Sequence, residues 1–276
     1  MRGLIEAYRQ ALLDSYHFEE VCTRLRKYFP SLNGLRILDV GCGVKLNQTA
    51  LFRSAGVEQI IGIDLDPHII HDRHQSFGQK LYWRIYYGTL AYKTKQRLQV
   101  DHLSLIQADI YDLPLQDQLF DVVISNAVFE HLPDIERALH SLSRVMKPNG
   151  LFHIGFHLWP SLSGSHLPAA KWHPLRRKDW PAGVPLWFHL RKLPPYDQAA
   201  PGFGYQHQFL NCLRECDYRA AFEKQTKIVE WLQLYREGQE WLTDDLRREL
   251  SDFTEDDLTV RSIRVVARPI KPDLIQ

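Results

Sequence analysis

With 276 residues, 45% hydrophobic and 24% charged, the chain has an ordinary globular composition and length for one or two buried cores, which excludes a disordered or fibrous protein. Its 34 Lys+Arg are balanced by 33 Asp+Glu. No global charge excess favours a phosphate backbone or an anionic surface, so neither nucleic acid nor membrane is expected as a partner. Charges recur through Met1–Pro30 without the apolar stretch of a signal peptide. The longest apolar runs fall far short of the roughly 20 residues of a membrane span, and a cytoplasmic monomer or homodimer is expected. Cys22, Cys42, Cys212 and Cys216 are too scattered for a disulfide framework, and the one close pair has too few ligands nearby for zinc.

In chain order, Leu4, Ala7, Ala11, Leu12, Val21 and Leu25 stand among charges at helical spacing, which predicts an N-terminal helical segment over residues 1–30. Pro30, Asn33 and Gly34 break it. Apolar runs at 36–40, 59–64, 103–107, 121–125 and 151–156 then alternate with helix-sized segments. That alternation predicts an α/β fold, a doubly wound, mostly parallel sheet. A helix through Ile135, Leu139, Leu142 and Val145 stops at Lys147-Pro148-Asn149-Gly150. Further on, a helix is expected over 211–224, a strand over 227–235, a charged helix around 240–250 and a strand over 258–268, the two strands closing the sheet as an antiparallel pair.

Two segments exceed simple crossovers. Residues 67–102 contain an aromatic, basic, amphipathic stretch through Phe77, Leu81, Tyr82, Ile85 and Tyr86. Residues 158–208 hold more than half of the chain's 15 prolines and four of its seven tryptophans, Trp159, Trp172, Trp180 and Trp187. A loop of that length reads as a functional lid, since aromatic surface argues against disorder.

The sharpest local signal is Ile37-Leu38-Asp39-Val40-Gly41-Cys42-Gly43, an apolar strand ending in an acid and a Gly-x-Gly turn, where glycines let a nucleotide approach the backbone. A second strand, Ile60-Ile61-Gly62-Ile63-Asp64, ends in an acid about twenty residues on, suited to ribose hydroxyls. Together they mark an adenosine site. The dinucleotide fingerprint wants a small residue where the chain has Leu46, which disfavours NAD.

Here the chain resembles the class I S-adenosylmethionine-dependent methyltransferases, whose motifs recur in order over residues 35–156. Asp39, Gly41 and Gly43 match the motif at the methionine moiety, and Asp64 the ribose acid. Gln107-Ala108-Asp109-Ile110 looks like the segment that meets adenine; Phe120 to Ser125, Asn126 and the following Phe129-Glu130-His131-Leu132 look like the fourth strand and the turn beside the transferable methyl. The resemblance implies a Rossmann-like seven-stranded domain over 31–276 with insertions at 67–102 and 158–208. It also implies S-adenosylmethionine as cofactor, and methyl transfer to an oxygen or nitrogen of a small molecule in biosynthesis.

Three plainer roles stand beside these. Asp109 could cap a helix, His131 could touch the cofactor, hold a loop or act as general base, and the lid histidines (His157, His166, His173, His189, His207) could serve packing or polar contacts with substrate, their irregular spacing giving no metal site. A hydroxyl acceptor would want a base such as His131 or His157. Tyr86, Trp172, Trp187 and Tyr205 are expected to enclose the acceptor. A catalytically silent cofactor-binding scaffold is the alternative, as is a protein or nucleic-acid methyltransferase. Against the latter, Ser125-Asn126-Ala127-Val128 stands where base-directed enzymes carry an Asn/Asp-Pro-Pro-aromatic motif.

Overall fold

The computed structural model describes residues 2–43, 45–65, 76–98, 103–166, 177–193 and 209–270. They form α1 (Arg2–Leu25), β1 (Arg36–Val40), α2 (Asn47–Ser54), β2 (Gln59–Asp64), α3 (Phe77–Thr94), β3 (Ser104–Gln107), β4 (Phe120–Asn126), α4 (Ile135–Val145), β5 (Met146–His157), α5 (Glu215–Gln225), β6 (Thr226–Arg236), α6 (Asp244–Glu249), α7 (Glu255–Thr259) and β7 (Val260–Pro269). The seven strands make one sheet in the order β3-β2-β1-β4-β5-β7-β6. β1 and β2 pair in parallel, as do β2 and β3. β7 runs antiparallel to both β5 and β6, the closing pair that the sequence predicts. No described helix is long and apolar enough to cross a membrane.

The chain divides into two compact units, Met1–Ile124 with Arg144–Leu151, and Ser125–Ser143 with Phe152–Gln276. In the first, β1 and β2 are buried over Ile37–Val40 and Ile60–Ile63, as parallel strands covered on both faces must be. Asp121 of β4 accepts the N–H of Arg36, the first residue of β1, at 2.9 Å, and its two oxygens each lie 2.8 Å from Lys147 Nζ of β5. One carboxylate thus aligns the entry ends of β1 and β5 on β4.

The N-terminal segment is one helix. Its buried stripe, Ala7, Ala11, Ser15, Phe18, Cys22 and Leu25, recurs at three to four residues, and Phe18 meets Phe52 of α2 edge to face, with centroids 5.0 Å apart. α3 starts on a capping box in which Ser76 Oγ accepts from Gln79 N–H while Gln79 Oε1 accepts from Ser76 N–H. It packs on α1 through Tyr86, which is fully buried and donates its hydroxyl to Asp14. Tyr86 is therefore a helix-packing residue, and the acceptor contact expected of it gives way to this buried phenol.

In the second unit, Leu162, Trp180, Trp187, Phe188, Leu242, Leu250 and Leu258 form a buried apolar cluster. Trp187 is 0% exposed and donates its indole N–H to Leu258 O at 3.1 Å, and Trp180 donates to Val184 O at 2.9 Å. Gly238, at φ +71°, lies so close that a Cβ would stand 2.9 Å from Leu162 Cδ2 and 3.2 Å from the Trp187 ring. The expectation that Trp187 closes over a ligand is thus corrected: the described part of the lid segment around it is core. Trp172 and Tyr205 lie outside the described residues. His189 fits the packing expectation, being buried with Nε2 donating to Trp159 O at 3.0 Å, and burial pushes it down to about 4, so it is neutral.

The last strand begins later than the sequence predicts. The Thr254/Asp257 capping box winds 255–259 into a helical turn, so β7 starts at Val260. Trp187→Ala should lower unfolding stability by about 3–5 kcal/mol, the cost of emptying a large apolar site. Urea denaturation monitored by circular dichroism measures it, and a loss below about 1 kcal/mol would remove Trp187 from the core.

Candidate functional site

The first unit builds a turn between β1 and α2. Gly41 and Gly43 have φ of +67° and +58°, left-handed conformations that L side chains adopt only under strain. These angles aim three successive N–H groups at the end of β2: Gly41 and Cys42 donate to Ile63 O at 2.8 and 3.1 Å, and Gly43 donates to Asp64 Oδ2 at 3.0 Å. Chain neighbours aside, a Cβ at Gly43 would meet only Gly41 O, at 3.9 Å, among the described residues, which leave this side of the turn open. Within β2, Gly62 is needed for another reason: a Cβ there would stand 2.9 Å from Leu105 Cδ2 and 3.0 Å from Cys42 Sγ. Leu46, which disfavoured the dinucleotide fingerprint, is buried at φ +48° just before α2.

Asp39 lies at the other side of the turn, 5% exposed, accepting a hydrogen bond from Thr49 Oγ1 at 2.6 Å. Burial pushes its carboxyl up to about 6 against the opposing pull of the Thr49 hydrogen bonds. After β3, Ala108 N–H donates to Asp64 O at 3.0 Å, Asp109 Oδ1 accepts from Tyr111 N–H at 2.9 Å, and Ile110 is buried. Asp109 therefore folds its own turn with one oxygen, as an Asx residue does.

Sequence reasoning missed what holds the turn from outside. Tyr87 of α3 donates its hydroxyl to Lys45 O at 2.7 Å, and Lys45 Nζ lies 3.6 Å from Asp14 of α1. The aromatic stretch of α3, expected at the acceptor, instead braces the Gly-x-Gly loop.

The second unit carries a cluster of its own. A 3₁₀ turn, Phe129–His131, follows β4. Asn211 clamps it, donating Nδ2–H to Phe129 O at 2.8 Å and Leu132 O at 3.1 Å, while its backbone N–H donates to Glu130 O at 2.9 Å. That duty explains why the helix expected from 211 begins only at Glu215. His131 Nδ1 lies 2.8 Å from Phe209 O, and because a carbonyl only accepts, this nitrogen carries the proton and Nε2 the lone pair of the neutral ring. His157, the last residue of β5, places Nδ1 3.0 Å from Glu130 Oε1. His166 meets both rings edge-on, with centroids 5.2 Å from His131 and 5.5 Å from His157. The structure thus gathers both predicted catalytic histidines into one group around a residue the sequence did not single out, Glu130, which is 3% exposed. Burial drives its carboxyl up, but the His157 hydrogen bond and the charge of the surrounding histidines outweigh it and hold it below the usual range. Asn126, at the exposed end of β4, accepts from Arg264 Nη1 at 3.2 Å.

Residues 38–154 match the family described as methyltransferase domain. The curated relatives that the chain resembles over this stretch are methyltransferases. Over 153 residues it is 29% identical to the mitochondrial ubiquinone biosynthesis O-methyltransferase of Dictyostelium discoideum, covering 51% of this chain and 44% of that protein. Over 129 residues it is 29% identical to the demethylmenaquinone methyltransferase of Staphylococcus carnosus, covering 46% and 45%. Each match spans under half of the curated relative's length. Among solved structures, the putative methyltransferase from Haloferax volcanii in complex with the Trm112 activator aligns over 96% of this chain and 93% of that one, with a TM-score of 0.51 and 17% identity, a likeness of fold.

The Asp39 shift makes a signed prediction. Its folded-state value of about 6 lies above the unfolded carboxylate value. The folded protein therefore binds the extra proton between about pH 4 and pH 6, and stability falls as pH rises through that window. Asp39→Asn removes the buried charge, so its advantage over wild type should be near zero at about pH 4 and grow to on the order of 1–3 kcal/mol above about pH 6. Paired urea titrations at the two pH values measure it; a pH-independent difference would contradict the assignment.

Proposed function

We propose that the protein transfers the methyl group of S-adenosylmethionine to an oxygen or nitrogen of a small metabolite. The observation that carries this reading is the Gly41–Gly43 turn, open at Gly43 and tied to Asp64, inside the stretch that matches the methyltransferase domain. The residues suit the cofactor: an open glycine face for the chain of the amino acid, and a carboxylate at the end of β2 for the ribose diol. In this reading Asp39, Gly41 and Gly43 hold the methionine moiety, Asp64 the ribose, and Asp109 and Ile110 the adenine. A carboxylate offers about four lone-pair positions, so Asp64 can serve Gly43 N–H and ribose hydroxyls together.

When bound, the cofactor supplies an activated, electrophilic methyl group. The chain's own work is to align the acceptor and exclude water, since positioning supplies several kcal/mol of such a barrier. His131 is suited to hold an acceptor O–H or N–H: its Nδ1 is spent on Phe209 O, which fixes the ring and leaves Nε2 as acceptor. The relatives named as a ubiquinone biosynthesis O-methyltransferase and a demethylmenaquinone methyltransferase support a small-molecule acceptor over a macromolecule.

Titration calorimetry tests the cofactor assignment. S-adenosylmethionine should bind and NADH should not, and Asp64→Ala should weaken binding by on the order of 2–3 kcal/mol, the loss of charge-assisted hydrogen bonds. Unchanged affinity in the variant, or preference for NADH, would overturn it. Turnover of hydroxylated ring compounds then separates an enzyme from a silent binder. There His131→Ala should lower kcat about tenfold, one hydrogen bond's worth, while cofactor affinity stays within about twofold. Equal losses in both would make His131 a cofactor contact.

A further inference from the structure

The histidine cluster of the second unit is built around a buried anion. Glu130 is 3% exposed, and neither of its oxygens meets a hydrogen-bond donor among the described residues other than His157 Nδ1 at 3.0 Å. A carboxylate out of water costs several kcal/mol unless a positive group compensates it. A proton shared with His157 is one such group, and a cation is another.

The geometry admits the cation. Glu130, His157 and His166 each offer one ligand atom, and the three lie within 4.8 Å of one another. Donors held about 2.0–2.2 Å from a tetrahedral ion stand roughly 3.3–3.6 Å apart, so both the 3.0 Å Glu130–His157 contact and the outer 4.8 Å separation lie within about 1.2 Å of ligand spacing. The supports are in place as well. Asn211 clamps the turn bearing Glu130 through three hydrogen bonds, and His157 is fixed by its place in β5, paired with Ser262 of β7. His166 N–H donates to Ser163 O, and the residue is held at φ +58°.

The donor set identifies the ion. Two imidazoles and one carboxylate suit zinc or another first-row transition metal, whereas magnesium and calcium take oxygen ligands. Three protein ligands leave a fourth position open, the arrangement of a reactive rather than a closed structural site. We infer that the second unit binds one divalent transition-metal ion, zinc in the first instance, through Glu130, His157 and His166, with an open coordination position. The inference departs from the expectation, drawn from irregular spacing, that the histidines between 157 and 207 form no metal site. The three ligands come from a turn, a strand end and a loop, which no linear motif displays. The inference stands on the second unit's residues and does not depend on methyl transfer.

Tag-free protein, stripped by chelator and dialysed, provides the test. Titration with Co²⁺ should saturate at one equivalent with a visible d–d absorption, and Zn²⁺ should bleach it; Zn²⁺ should also raise Tm while Mg²⁺ leaves it unchanged. Glu130→Gln and His166→Ala should each weaken Zn²⁺ binding about 100-fold or more, the upper end of what even partners behind the ligands cost. Near-UV circular dichroism and urea unfolding of the same samples report whether each variant is folded, and His166→Ala keeps the test alive if Glu130→Gln does not fold. No saturable site in the wild type, or wild-type Zn²⁺ affinity in a folded His166→Ala, would overturn the inference.

Discussion

Three consecutive backbone N–H groups, those of Gly41, Cys42 and Gly43, converge on the last two residues of β2. This convergence dictates the surrounding sequence. It requires left-handed backbone at 41 and 43, hence glycine at both, and it requires the Val40–Ile63 parallel register that brings the strand ends level. It draws Cys42 inward, which leaves room at position 62 for glycine alone. It also commits one oxygen of Asp64 to the turn, so the acid that would take the ribose is oriented before any ligand arrives. Pre-orientation of this kind reduces what a ligand must spend on ordering its site.

The two helices added to the core serve the same turn. α1 and α3 meet through the Tyr86–Asp14 hydrogen bond, and from that platform Tyr87 reaches Lys45 O. The rings that look in sequence like an acceptor cage are therefore the scaffold of the Gly-x-Gly loop. Buried hydroxyls must find acceptors, and here the acceptors are a helix carboxylate and a loop carbonyl.

This explains where the sequence was legible. β1 and β2 were found to the residue, because each is a continuous apolar run closed by an acid or a glycine turn, and such runs have no competing pattern. The seven-stranded sheet with its antiparallel closing pair followed from the same runs. Elements bounded by polar residues were misjudged: Asn211 sits at helical spacing yet spends its side chain on two carbonyls, and Leu258 reads as strand yet lies in the α7 turn. Aromatic composition could not tell Trp187, packed under Gly238, from a ring facing a ligand. Glu130 was invisible as a buried group, since its neighbours Phe129 and His131 say nothing of His157 and His166 much further along the chain.

The discontinuous path of the first unit bears on how the protein is made. Its first 124 residues leave the ribosome before Arg144–Leu151, the stretch that completes it. At about 5–20 residues per second the delay is on the order of 1–5 s. Throughout that interval Phe120, Val122 and Val123, all fully buried at the end, lack the strand that lies beside them, and Asp121 lacks the Lys147 ammonium. Nascent chains of this protein therefore pass through a stage with an apolar strand edge exposed, a species that invites chaperone capture or aggregation and that a fast translation pause-free stretch over residues 125–151 would shorten.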